Sequence, residues 1–202
     1  YPADEILWPD GASLVTQEFY RWRLLFRAVR DFDVIHYNYG APILNWGALD
    51  GRHKRLIGGL GGLYAVANQI IELPLLKSLG KVIAVTYQGD DARQGDFCRA
   101  NFEYSIAQEV NGQYYSETTD ESKRQRIKSF SKHADLIYSL NPDLLHVLPT
   151  HAQFLPYAHI SLEDWRCDSD ALENNSESPL VIHAPSHRNA KGTRHILDRS
   201  EE

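Results

Sequence analysis

The sequence contains no methionine and only two cysteines in 202 residues. Cys98 and Cys167 are too few and too far apart to form a disulfide framework or a zinc site. Two free thiols fit a reducing compartment. A chain of this length without one methionine is expected to be a piece of a longer product. No apolar run approaches the ~18 residues that a membrane span needs. The opening YPADEILWPD has neither the cationic start nor the apolar stretch of a secretory leader. The sequon Asn174-Asn175-Ser176 is therefore expected to be a chance match. An excess of positive charge is also missing. Twenty-seven acidic side chains against 21 Lys and Arg leave a net charge of -6, which argues against a general nucleic-acid binder. No internal repeat of about 20–50 residues is visible.

What is present is an ordinary globular composition, 43% hydrophobic. The length allows one sizeable core, or one domain and part of another. Residues 14–32 predict a helix, with Val15, Phe19, Trp22, Phe26 and Val29 at alternating spacings of four and three. Arg21, Arg23, Arg27 and Arg30 take the other side and read as a solvated face. Phe32-Asp33-Val34-Ile35-His36-Tyr37 predicts a short buried strand. The Gly-rich stretch Gly58-Gly59-Leu60-Gly61-Gly62 lacks a preceding strand and has Tyr64 where a dinucleotide fingerprint needs glycine, so it reads as a loop. A helix follows at about 63–72, broken or restarted by Pro74 and continued by Leu75, Leu76 and Leu79 to a C-cap glycine at Gly80.

The β-branched run 81–87 predicts a central parallel strand. Helices are expected at about 97–110 and 120–133, and a strand at 134–138. Asn141-Pro142 should cap and open a short helix, and a last strand should run over 153–155. This alternation predicts an α/β fold, a Rossmann-like, doubly wound parallel sheet. The polar run 166–178 reads as a linker. It divides the chain into a domain over 1–165, expected to lack its first strand and so to leave an open sheet edge, and the first strand and helix of a second domain over 179–202.

Two regions carry candidate chemistry. In PLVIHAPSHRNAKGTRH, residues 179–195, an apolar strand ends in a small-residue turn, and His187, Arg188 and Lys191 lead to Gly192-Thr193 and a helix. Two cations and backbone amides at a helix start suit a phosphate; an ordinary strand-turn-helix with solvated cations is the plainer alternative. His183 reads as a packed core histidine. The other region is the set of loops after the predicted strands. In a parallel sheet these share one edge, where α/β folds place ligands. The loops carry His36, Asn38, Gln88, Asp90, Asp91, Arg93, Ser139, Asn141 and Tyr157, an array suited to sugar hydroxyls. Lys123, Arg124, Arg126, Lys128 and Lys132, with Ile127 and Phe130 between them, form a basic stretch. It suits an anionic lipid surface, though a solvated helix face is the simpler reading. Asp168-Ser169-Asp170 matches a metal-binding Asp-x-Asp pattern but sits in the linker with no strand before it.

Taken in order, the segments FDVIHYNYG, LPLLKSLGKVIAVTYQGDDAR, HADLIYSLNPDLL, FLPYA and PSHRNAKGT resemble the N-terminal domain and the start of the C-terminal domain of retaining glycosyltransferases of the GT-B fold, the group 1 or family 4-like transferases. The resemblance implies a cytoplasmic enzyme, with peripheral contact at the inner face of the membrane. It would move a sugar from a nucleotide-sugar donor to a glycan or glycolipid, as in bacterial surface polysaccharide synthesis. It implies no metal and no cofactor beyond that donor. Ser186, Arg188 and Lys191 would bind the donor diphosphate, Gln88 and Asp90 would stand at the reacting sugar, and His36, Asn38, Asp91 and Arg93 would line the acceptor side. Gln88 stands where many relatives have histidine, and a glutamine cannot be a general base. The family's glutamate pair would lie beyond Glu202, so this chain alone is expected to be inactive. A non-catalytic α/β module that binds sugar nucleotides, or an inactive homologue, remains the alternative. A GT-B-like epimerase is a third reading.

Overall fold

A computed structural model describes residues 11–44, 70–110, 114–156, 161, 163 and 182–200. The Gly-rich stretch, the linker with its Asp-x-Asp, the sequon, Cys167, Tyr157 and Leu180-Val181 lie outside the described residues. The chain divides into two compact units, one formed by Tyr1–Arg93 with Glu121–Leu155 and the other by Gln94–Asp120 with Pro156–Glu202.

The first unit is an α/β layer. Helix α1 (Leu14–Asp31) leads into β1 (Val34–Tyr37), helix α2 (70–78) into β2 (Val82–Tyr87), and β3 (Leu136–Ser139) and β4 (Gln153–Phe154) follow. The four strands form one sheet in the order β1-β2-β3-β4, every pair parallel. This arrangement is compatible with a Rossmann-like fold. Among the described residues β1 has a partner on one side only.

The register places Ile35, Ile83 and Tyr37, Val85, Ile137 side by side, with Tyr87 beside Ser139. All six apolar members of that set belong to the core, together with Leu25 and Ala28 of α1, Leu73 and Leu76 of α2, and Ile127 and Phe130. Phe130 meets the Tyr37 ring edge-on at 5.1 Å between centroids, a favoured aromatic geometry. The core therefore fills one face of the sheet. On the other face Val34, Val82 and Leu136 are exposed while Ala84 and Thr86 are buried. A succession of right-handed crossovers that steps one way along a sheet puts its helices on a single face. β1 accordingly alternates exposed and buried rather than being buried throughout, as its sequence had predicted.

Helix α1 is turned differently from its expected orientation. Its buried residues are Arg21, Leu25 and Ala28, whereas Phe19 and Phe26 are 64% and 65% exposed and Trp22 41%. Arg21, Leu25 and Ala28, at i, i+4 and i+7, share one face of the helix, and Leu25 and Ala28 join the core. The larger aromatic stripe faces outward, and Arg21 is not part of a solvated face.

Pro74 does not break α2. The helix continues to residue 78 and ends in a Schellman motif, with Lys81 N–H on Leu76 O and Gly80 N–H on Lys77 O, both at 3.0 Å. Gly80 takes the left-handed conformation this cap requires, φ 75°. Asp135 ties three elements, accepting from Ile83 N–H at 2.8 Å and from Lys77 Nζ at 2.7 Å. The Ile83 amide first, and then Lys77, hold its carboxyl below the usual range.

The second unit contains short helices. The single helix expected over 97–110 is two, α3 (Gly95–Asn101) and α4 (Ile106–Glu109), around a small cluster of Cys98, Ala107 and Tyr115. Helix α5 (Glu117–His133), which belongs to the first unit from Glu121 on, starts at its capping box. Ser116 Oγ accepts from Thr119 N–H at 3.3 Å, and Thr119 Oγ1 accepts from Ser116 N–H at 2.9 Å. Glu117 and Asp120 in the first turn and Lys132 and His133 in the last complement the helix dipole. Ile182 lies outside any strand and is 80% exposed. His183 is exposed too, not a core histidine, and its Nε2 pairs with Thr193 Oγ1 at 2.9 Å.

One buried acid organises the first unit. Glu72 of α2 accepts from the Tyr37 hydroxyl at 2.7 Å and from the amides of Ile43 and Leu44 at 2.8 and 2.7 Å. Burial lifts its carboxyl above the ordinary glutamate value of 4.5, against the pull of Tyr37, Leu44 and Ile43. Glu72→Ala strands three buried donors and should cost about 3 kcal/mol or more in urea unfolding; a loss under about 1 kcal/mol would refute the clamp. Because the folded carboxyl holds its proton more tightly than the unfolded one, its contribution to stability is fully present below pH 4.5. It is lost as pH rises through the folded value. Glu72→Gln should remove that decline from the pH–stability curve.

Candidate functional site

The carboxyl ends of β1, β2 and β3 carry the predicted polar loops to one sheet edge. Gln88 extends from the end of β2, and its side-chain Nε2 donates to the Asn38 carbonyl in the loop after β1 at 2.5 Å. Asn141, after β3, donates through Nδ2 to the Gln88 carbonyl. That amide does not cap the 3-10 helix Pro142–His146, although Asn141 occupies its N-cap position. Ser139 is buried and donates to the Asn141 carbonyl at 2.6 Å. Three loops from three strands are thus joined through Asn38, Gln88 and Asn141.

Asp91 closes the same edge from below. It is fully buried. Its Oδ2 accepts from Gly40 N–H at 2.9 Å, and its Oδ1 from Gln88 and Gly89 N–H at 3.0 and 2.7 Å. The Asp91 carboxylate is committed to backbone amides and does not line an open acceptor surface. Gly40 is fixed by packing: a Cβ there would sit 2.1 Å from Tyr87 Cε1. The Tyr87 hydroxyl is buried and has no hydrogen-bond partner among the described residues. Burial, with the Asp91 charge second, pushes it above the usual tyrosine range. Arg126 closes the loop from α5, its Nε donating to Gly40 O at 3.0 Å.

Arg93 and Asp90 form a second group. The Arg93 guanidinium bridges Asp90 at 3.2 Å and Asp143 at 2.9 Å, and Lys123 Nζ, buried, donates to the Arg93 carbonyl at 2.7 Å. Lys123 therefore belongs to the scaffold and not to a solvated basic face. His36 does not join the loops. It stands on the less covered sheet face, exposed, with Nε2 paired to Thr86 Oγ1 at 2.8 Å.

Ser186, Arg188 and Lys191 lie in the second unit, all exposed. A 3-10 turn, Asn189–Lys191, ends at Gly192 in the left-handed conformation, φ 66°, and opens α6 (Thr193–Ser200). The turn uses its own amides: Lys191 N–H bonds His187 O, Gly192 N–H bonds Asn189 O and Thr193 N–H bonds Arg188 O. An anion here would be met by side chains, not by the free backbone amides that the sequence suggested. Arg194 and His195 pair with Glu109 at 3.3 and 3.2 Å, whereas no ion pair engages Arg188 or Lys191 among the described residues.

No group of three or more His, Cys, Asp or Glu among the described residues is placed to hold a metal ion. Among the same residues no helix is long and apolar enough to cross a membrane. Sequence reasoning missed Glu72, whose signal was a lone acid within the apolar run IIELPLL. It also missed the scaffold roles of Asp91, Lys123 and Arg126, which depend on partners up to 86 residues away.

Comparison of the chain with protein-family models, with curated proteins and with solved structures yields no match.

Asp91→Ala should release the amides of Gly40, Gln88 and Gly89. The expected result is a loss of about 2–4 kcal/mol, with faster hydrogen exchange confined to those three amides and their neighbours. Unchanged exchange at Gly40 would show that Asp91 does not hold the loop.

Proposed function

We propose that the chain is the acceptor-side α/β domain, with the start of the donor-side domain, of a retaining, metal-independent glycosyltransferase of the GT-B kind. It would transfer a sugar from a nucleotide donor to a glycan or glycolipid, working in the cytoplasm with peripheral contact at the inner membrane face. The observation that carries this reading is a contrast between neighbours: Arg188 and Lys191 have no acidic partner among the described residues, while Arg194 and His195 both contact Glu109. Cations without counter-charges beside a helix start suit a diphosphate. Stabilising the charge that develops on a leaving diphosphate is the main electrostatic demand of sugar transfer from such a donor.

In this reading Ser186 adds a hydroxyl to the diphosphate contacts. The Asn38–Gln88–Asn141 network holds a rigid polar edge toward the acceptor, with His36 exposed on the adjoining sheet face. Gln88 acts as a neutral partner, its amide oriented by the Asn38 carbonyl, and the Asp90–Arg93 pair supplies charge beside it.

A second reading, a non-catalytic module that binds sugar nucleotides, is favoured by a specific observation. Gln88 and Asp91 spend their side-chain atoms on the backbone of neighbouring loops, as scaffold residues do.

Titration of uridine and guanosine diphosphates against the protein tests the shared premise. Lys191→Ala should weaken binding about tenfold or more by removing one charge-assisted contact. Equal affinities would make Lys191 a surface residue and remove the carrying observation. Gln88→Ala separates the two readings, using sugar transfer by the full-length product and the melting temperature. A loss of turnover at unchanged melting temperature supports the transferase. A lower melting temperature with unchanged activity per folded molecule assigns Gln88 to the scaffold.

A further inference from the structure

A groove with a volume of about 510 Å3 lies between α2 and α5. That size is typical of small-molecule sites, roughly 300–1,000 Å3. Ile70 and Pro74 of α2 form its apolar wall, with the fully buried Phe130 of α5 beneath. Ile70 is 62% exposed, so the wall is open to a ligand. Lys128 and Lys132 stand along the rim. They are four residues apart on one helix, and side chains at that spacing share a face.

These two lysines differ from the other cations of this helix pair. Lys77 pairs with Asp135, Lys123 donates to Arg93 O, Arg124 pairs with Glu121 and Arg126 donates to Gly40 O. Among the described residues neither Lys128 nor Lys132 has an ion-pair partner. The two uncommitted ammonium groups of α5 are therefore those that line the apolar groove. Long lysine stems lie along apolar surface while their heads reach outward, so both can converge on one anionic group at the rim.

We propose that this groove binds an amphiphilic anion, with an alkyl or ring body against Ile70 and Pro74 and a phosphate or carboxylate head between Lys128 and Lys132. Charge complementarity selects the head, and the apolar wall selects the body. None of these four residues belongs to the strand-end loops or to the Arg188–Lys191 turn, so the site is independent of the transferase reading.

Calorimetric titration with dodecyl phosphate below its micelle concentration tests the proposal. One molecule should bind per chain, with amide shifts in the NMR spectrum at Ile70, Ser129 and Lys132. The double variant Lys128→Gln/Lys132→Gln should weaken binding about tenfold or more, and so should Ile70→Glu. All three positions are on the surface, so the thermal transition should stay unchanged and report that the variants are folded. Inorganic phosphate should bind far more weakly than dodecyl phosphate, and so should uncharged dodecyl maltoside. Equal affinity of the double variant and the parent protein would overturn the proposal. Inorganic phosphate binding as tightly as dodecyl phosphate would reduce the site to a bare anion patch and overturn it. So would binding to phosphatidylglycerol vesicles without binding of the monomeric amphiphile, because the protein would then be adsorbing to a surface.

Discussion

Asp91 gives both carboxylate oxygens to backbone amides of two loops that follow different strands: Gly40 after β1, and Gln88 and Gly89 after β2. The edge that would meet a ligand depends on this. Hydrogen bonds to a buried charge are worth roughly 1.5–3 kcal/mol each, and a buried carboxylate is tolerated only when it is so paired. Glu72 does the same for the other end of the first loop, at Ile43 and Leu44. Arg126 takes the carbonyl of Gly40, so one short segment is held from three directions.

The sheet above this edge has one well-filled face. Strands that step in one direction, each joined to the next by a right-handed crossover, collect their helices on a single side. There Ile83, Val85 and Tyr87 pack with Leu73, Leu76, Ile127 and Phe130. On the reverse side Val34, Val82 and Leu136 remain exposed. β1, paired on one side only among the described residues, alternates, whereas β2, between β1 and β3, is buried over five of its six residues, Ala84 and Thr86 on the reverse side included.

Commitment of charge separates scaffold from candidate site. Cations near the strand ends are neutralised or bonded to carbonyls, as Arg93, Lys123 and Arg126 are. The cations without such partners among the described residues include Arg188 and Lys191 on one turn and Lys128 and Lys132 beside the apolar groove. Residue type alone does not make this distinction. Lys123 and Lys128 are five positions apart on one helix, yet one is buried and the other lies at the rim of an open groove.

The amino-acid sequence by itself determined the local order of the fold. A β-branched apolar run marked β2 because such side chains suit a pleated buried surface, and Gly80 marked a helix end because only glycine takes that turn without strain. Parallel alternation also implied that the loops bearing Asn38, Gln88 and Asn141 share one edge. Tertiary structure alone decided how those residues are used. The α1 aromatic stripe is exposed because Leu25 and Ala28 join the core instead, and a periodicity of spacings does not rank the faces of a helix. The burial of Asp91, the diversion of the Asn141 amide from its helix to Gln88 and the division of the basic helix into bonded and unbonded cations all depend on partners tens of residues away. Such pairings are fixed by strand register and helix placement, long-range quantities that no local pattern of residue types encodes.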